Sequence, residues 1–179
     1  SPLRAVWADD LLPLRPAPTP ARWWVMRVEP LRLEWIEALT DGDAAFTERF
    51  GIPVMEGWAG FPEALPHALD AARRNDADPW GSHLFFDDDG ALVGFGGFKG
   101  PPTGGEVEIG YAIAPARRGR GLATAATRTL IDRARDRGVT RVIAHTLATP
   151  NASTAVLTHC GFTRTATIAD PDEGVDDEV

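Results

Sequence analysis

The stretch Val107–Ala126, VEIGYAIAPARRGRGLATAA, restricts the fold more than any other part of the chain. Val107, Ile109, Tyr111 and Ile113 recur with the two-residue period of a β-strand. Pro115 ends that strand, because its ring nitrogen has no hydrogen to give to a ladder. Arg117, Arg118, Gly119, Arg120 and Gly121 then run straight into a helical pattern that starts at Leu122. The first N–H groups of a helix have no partner and carry a partial positive charge. Glycines let that backbone approach a ligand and arginines add full charges, so the turn suits a pyrophosphate or similar anion. Taken alone, the glycine pair fits an ordinary strand–helix turn equally well.

The elements around this stretch follow from periodicity and breakers. Leu122, Ala126, Leu130 and Ala134 predict a helix from Leu122 to Arg137, with Gly138 ending it in a left-handed turn. RVIAHTL, from Arg141 to Leu147, reads as a second core strand. Strand, helix and strand from Glu106 to Leu147 therefore predict a right-handed crossover between parallel strands. Before it, Ser82–Phe86 and Ala91–Phe98 flank Asp87, Asp88, Asp89 and Gly90 as a hairpin, which makes the sheet mixed. The aspartates lack the Asp-x-Asp-x-Asp-Gly spacing of a calcium loop and read as turn residues, so no metal site is expected. Gly94, Gly96, Gly97 and Gly100 beside Lys99 do not fit a phosphate-binding loop; they mark a bulge or a close backbone approach.

Residues 1–20 carry Pro2, Pro13, Pro16, Pro18 and Pro20 and read as an extended arm, docked only through Leu11, Leu12 or Leu14. RWWVMRV, Arg22–Val28, reads as the first strand. A helix is expected to start at Pro30, and Asp43 is placed to cap a second one through Phe50. Leu65–Arg74 reads as a short helix. Trp58, Phe61 and Trp80 either join the core or line an acceptor pocket. Asn151 and Ser153 open a last helix through His159, Phe162–Ile168 is a final strand, and residues 170–179 form an acidic tail.

The chain of 179 residues suits one domain, with no apolar run long enough to span a bilayer and no leader visible. A net charge of −8 argues against a general nucleic-acid binder. Eight arginines nevertheless lie between Arg117 and Arg141, a local basic patch that fits a small anion. Of these, Arg128, Arg133, Arg135 and Arg137 read as a solvated helix face paired with Asp132 and Asp136. Cys160 is the only cysteine, reads as a core residue, and is compatible with a reducing cytoplasm.

Arg118-x-x-Gly121-x-Ala123 resembles the acyl-CoA-binding signature of the GCN5-related N-acetyltransferases. VEIGYAIAP resembles that family's fourth strand, and Asn151–Leu157 closing on Gly161–Phe162 resembles its second conserved block. Together these blocks span about half of the chain. The resemblance implies an α/β, three-layer fold over residues 21–169. Its mixed, twisted sheet of about seven strands would be flanked by helices and splayed between the family's fourth and fifth strands. It implies acetyl-CoA as cosubstrate, with Arg118 and the amides of Gly119, Arg120, Gly121, Leu122, Ala123 and Thr124 on the pyrophosphate. The backbone at Ile113 would pair with the pantetheine arm. Asn151 would either contact that arm as well or serve only as a helix cap.

The implied reaction is direct attack of a primary amine on a thioester, which requires a base, donors for the oxyanion and relief of the thiolate. Glu108, in the central strand, is the first candidate for the base, against the plainer reading of an ion pair with an arginine. His145 is the second, against that of a satisfied core histidine. The tyrosine that many members carry on the last helix falls on Leu157 here, so the thiolate leaves unassisted, or Ser153 or another group serves. The pattern GFGGFKGPP…VEIGYAIAP…GRGLATAA is closest to the ribosomal-protein-alanine acetyltransferase-like branch, whose acceptors include protein N-terminal amines and small-molecule amines. The family leaves a homodimer open. The alternative is a non-catalytic acyl-CoA-binding or sensing module, which needs the anion loop but no base.

Overall fold

The computed structural model describes residues 3–12, 26–147, 149 and 151–169. Its strands are β1 (Leu3–Asp10), β2 (Arg27–Pro30), β3 (Ser82–Phe86), β4 (Leu92–Phe98), β5 (Glu106–Ile113), β6 (Arg141–Leu147) and β7 (Thr163–Ala169). Its helices are α1 (Leu33–Asp41), α2 (Asp43–Phe50), α3 (Leu65–Arg74), α4 (Leu122–Asp136) and α5 (Ala152–His159). The strands form one seven-stranded sheet in the order β2-β3-β4-β5-β6-β1-β7. Only β5 and β6 run parallel, the arrangement that needs a crossover such as α4. Among the described residues no helix is long and apolar enough to cross a membrane.

Strand alternation divides the buried side chains between two cores, one on each face of the sheet. Phe85 joins Val107, Ile109 and Ile113 of β5 and Leu122, Ala126, Leu130 and Ala134 of α4. Its neighbours Leu84 and Phe86 point the other way, to Trp35, Ile36 and Leu39 of α1, Phe46 of α2 and Ala68 and Ala72 of α3. Each large side chain fully buried in these cores contributes about 1.5–3 kcal/mol.

The glycines of β4 mark a close approach. A β-carbon on Gly96 would lie 2.3 Å from the Gly110 carbonyl oxygen and 2.7 Å from Tyr111 Cα.

The structure corrects several expectations. Leu3–Asp10, expected in an arm, is a strand inserted between β6 and β7 and antiparallel to both. Its alternation hides Ala5 and Trp7 in the core, which outweighs the proline-rich surroundings. Leu11 docks as expected and Leu12 stays exposed, while Leu14 and the prolines lie outside the described residues. Of the stretch expected as the first strand, residues 22–25 also lie outside them, and β2 starts only at Arg27. Pro30 ends β2, and α1 begins at Leu33. Asp43 does not cap α2, because its carboxylate accepts from Trp58 Nε1 at 3.0 Å. Of the four arginines expected on a solvated face of α4, only Arg135 pairs with an aspartate there, Asp132 at 3.0 Å, among the described residues. Arg128 donates to the His159 carbonyl and Arg137 to that of Pro79, so these two tie α4 to its neighbours. The acidic residues 170–179 lie outside the described residues.

Candidate active site

The parallel strands separate as they leave the core. Their pairing runs from Glu106–Arg141 to Ile109–Ala144, yet β5 continues to Ile113 and β6 to Leu147. Beyond Ile109, β5 therefore offers main-chain groups on its β6 side that no β6 residue pairs with.

At the end of β5 the chain makes a single 3₁₀ turn over Pro115–Arg117 and enters α4 through Gly119 and Gly121, whose φ angles are 76° and 75°. A side chain at either position would strain the backbone. Gly121 occupies the N-cap position and has no side chain to bond to the first turn. The first bond into the helix runs from the Ala125 N–H to the Gly121 carbonyl at 3.0 Å. Among the described residues, no acceptor is found for the amides of Gly119 to Thr124. Arg120 is exposed beside them. An uncapped helix start with an adjacent guanidinium is a cradle for an anion. Arg118 turns back instead, its Nε donating to the Ile113 carbonyl at 3.1 Å.

On the α1–α3 face, Glu108, Gly110 and Ala112 alternate along β5 opposite the buried Val107 and Ile109. His145 Nδ1 lies 2.8 Å from Glu108 Oε1, and Lys99 Nζ lies 3.0 Å from the same oxygen. A contact this short holds one proton between His145 Nδ1 and Glu108 Oε1, which leaves His145 Nε2 and Glu108 Oε2 outside it. Glu108 and His145 are each about one quarter exposed, at 24% and 23%. Among the described residues no partner is found for Glu108 Oε2 or His145 Nε2.

A loop on the same face reaches the end of β5. A β-carbon on Gly60 would lie 2.4 Å from Ala112 Cβ, and one on Gly57 would lie 2.8 Å from the Pro115 ring. Trp58 in this loop is buried against Phe95, Trp80 is half-buried against Phe98, and only Phe61 is exposed.

Tyr111, the chain's single tyrosine, lies on β5 past its last pair with β6. Its hydroxyl donates to the Ser153 carbonyl in the first turn of α5 at 3.5 Å, and burial pushes its pKa up to about 12.

The model for the acetyltransferase (GNAT) domain matches residues 26–163. The chain belongs to the GNAT acetyltransferases. A GCN5-related N-acetyltransferase from Sphaerobacter thermophilus shares the fold at a TM-score of 0.62 and 22% identity, over 93% of this chain and 49% of that one. An acetyltransferase of the GNAT family from Colwellia psychrerythraea gives 0.61 and 18%, over 94% and 54%. This chain thus spans about half the length of those two proteins. The structure of yncA from Salmonella typhimurium, solved with its cofactor acetyl-CoA, gives 0.55 and 22%, over 79% and 81%. No curated protein matches the chain.

Set on the GNAT fold, the expected site residues fall into two groups. Gly119–Thr124 form the open turn, and Glu108 and His145, weighed as separate bases, touch each other. Other residues are engaged locally. Asn151 caps α5, its Oδ1 accepting from the Ser153 N–H at 2.9 Å and its Nδ2 donating to the Thr149 carbonyl at 2.8 Å. The Ile113 carbonyl is already held by Arg118. Leu157, at the position of the family's tyrosine, is buried in the core. Cys160 is half-buried, and burial raises its thiol to about 11, consistent with a packing role. Asp87 organises the hairpin turn by accepting from the Asp89 and Ala91 amides at 3.1 and 3.0 Å.

Sequence reasoning missed two residues of the site, Lys99 and Tyr111. The available signal for Lys99 was the hairpin register, which sets Phe98 opposite Ile109 and hence Lys99 beside Glu108. For Tyr111 it was its position where the parallel strands part.

Proposed function

We propose that this GNAT domain transfers an acetyl group from acetyl-CoA to a primary amine by direct attack, with Glu108 and His145 acting as one base unit. The observation that carries this reading is the 2.8 Å contact between them beside the point where β5 and β6 separate. The uncapped start of α4 fits the pyrophosphate. Acetyl-CoA would supply the acyl group as an activated thioester.

The amides of Gly119 to Thr124, with Arg120, would hold the pyrophosphate, and the unpaired side of β5 would align the arm. For Ile113 to take part, its carbonyl must accept a second donor beside Arg118. His145 Nε2 and Glu108 Oε2 are the atoms open to the departing amine proton. Tyr111 replaces the missing helix tyrosine. A phenol held near 12 keeps its proton, which would turn from the Ser153 carbonyl to donate to the developing thiolate.

The acceptor is a cationic or neutral amine, in keeping with the net charge of −8. The sequence pattern favours the ribosomal-protein-alanine acetyltransferase-like branch, hence a protein N-terminal or small-molecule amine. A cytoplasmic setting agrees with the free Cys160.

Thermal-shift titration with acetyl-CoA and CoA, followed by an amine screen, tests the reading. Glu108→Gln and His145→Ala are each expected to lower kcat about a hundredfold or more while keeping the coenzyme shift. The double variant should lose little beyond either single one, as residues acting together do. Unchanged turnover in both single variants would remove the base assignment. A coenzyme shift without any acetylated acceptor would favour the binding module.

A further inference from the structure

Lys99 is the only lysine in the chain, against seventeen arginines. It stands just beyond β4, its N–H donating to the Glu108 carbonyl at 2.9 Å. Its stem runs over the face of Gly110, where an added β-carbon would lie 3.7 Å from Lys99 Cε. Gly110 is the first residue of β5 past the last pair with β6, so the stem lies on β5 where the gap begins. Nζ ends 3.0 Å from Glu108 Oε1, while 62% of the side chain remains open to solvent. A primary amine is thus held on the carboxylate of the base unit, on a tether free to swing.

We propose that Lys99 is itself a modification site, acetylated in cis by the active site it borders. The inference rests on reading the gap as the acyl-donor site and Glu108–His145 as the base. Lys99 Nζ, an ammonium in the ion pair, gives one proton to Glu108 and bonds to the carbonyl carbon of acetyl-CoA, and the nitrogen loses a second proton to solvent as the amide forms. The C–S bond breaks, CoA leaves as thiolate and takes a proton from solvent, and Glu108 returns its proton to solvent. The products are N-acetyl-Lys99 and CoA. The amide has no charge, so the ion pair with Glu108 is lost and the carboxylate keeps only His145.

The test is intact-protein mass spectrometry with peptide mapping after incubation with acetyl-CoA, alongside a coenzyme thermal shift and turnover of an external amine. The expected result is one acetyl group on Lys99, gained at a rate that does not change on dilution of the protein and absent in Lys99→Arg. Glu108→Gln should slow marking about a hundredfold or more while keeping the coenzyme shift, which also reports that the variant is folded. If Glu108→Gln does not fold, His145→Gln takes its place with the same expectation. Marking that is as fast in these variants, or that slows on dilution, overturns the proposal as chemical or intermolecular acylation. A coenzyme shift and external acetylation with Lys99 unmarked also overturn it, and leave the proposed function standing. Absence of any coenzyme shift removes both.

Discussion

Replacing Gly60 by alanine probes how tightly the loop before α3 is seated on the strand that borders the gap. Gly60 sits at φ +69°, and an added methyl would lie 2.4 Å from Ala112 Cβ, far inside contact distance. The left-handed backbone costs an alanine about 1–2 kcal/mol. Overpacking against β5 adds about 1–3 kcal/mol, since Ala112 is held by its pairing with Phe95. The sum, about 2–5 kcal/mol, corresponds to a fall in Tm of about 5–15 °C for a chain of this size. Urea unfolding followed by tryptophan fluorescence measures it, with Trp58 in the same loop as a local reporter. The decisive comparison adds Ala112→Gly, which gives the methyl its space and leaves only the backbone cost. Alone, Ala112→Gly is expected to lose about 0.5–1 kcal/mol for a glycine in a strand. The double variant should be about 1–3 kcal/mol more stable than the sum of the single changes. Strict additivity, or a Gly60→Ala change within about 0.5 kcal/mol of zero, would refute the seating of the loop on Ala112.

Three titration predictions follow from buried groups outside that contact. His83 is fully buried, its Nδ1 bonded to the Gly81 carbonyl at 2.8 Å, and burial lowers its pKa from 6.5 to about 4. The unfolded chain therefore binds a proton that the folded one refuses between those values, so stability falls as pH drops from 6.5 toward 4, by about 3 kcal/mol in all. His83→Gln, which does not titrate, should show a flatter pH dependence of its urea midpoint in that window; an unchanged slope would count against the shift. Cys160, raised to about 11, should react with iodoacetamide at pH 8 about a hundredfold more slowly in the folded than in the unfolded protein. Because Tyr111 is the single tyrosine, phenolate absorbance reports it alone, and the folded protein should show no rise centred near pH 10.

The central β5–α4–β6 unit was legible because each element carries its own period: Val107 and Ile109 repeat every two residues, and Leu122, Ala126 and Leu130 every four. The open turn at the start of α4 was legible for a similar reason, since its geometry is main-chain and local. What stayed hidden depends on register between distant segments. Glu108 and His145 were both recognisable as candidates, yet their contact follows from the parallel pairing of β5 with β6 and from His145 standing two residues past Ile143, the partner of Glu108. Asn151 carried cap and ligand readings that sequence could not separate, and its local bonds favour the cap. Leu3–Asp10 was masked by the prolines that follow it and by partners that lie at the other end of the chain.

That last feature bears on the order in which the protein assembles. Strands β2 to β6 can pair from neighbours alone, but β7 touches the sheet only through β1. Joining β1 to its partners means closing a loop of nearly the whole chain, as the bond from Trp7 Nε1 to Thr146 Oγ1, across 139 positions, makes plain. Closure of so large a loop carries a high entropic cost and slows folding. A growing chain releases β1 first and must keep it unpaired until β6 and β7 have been made, so the insertion of β1 is a late step that draws β7 into the sheet with it.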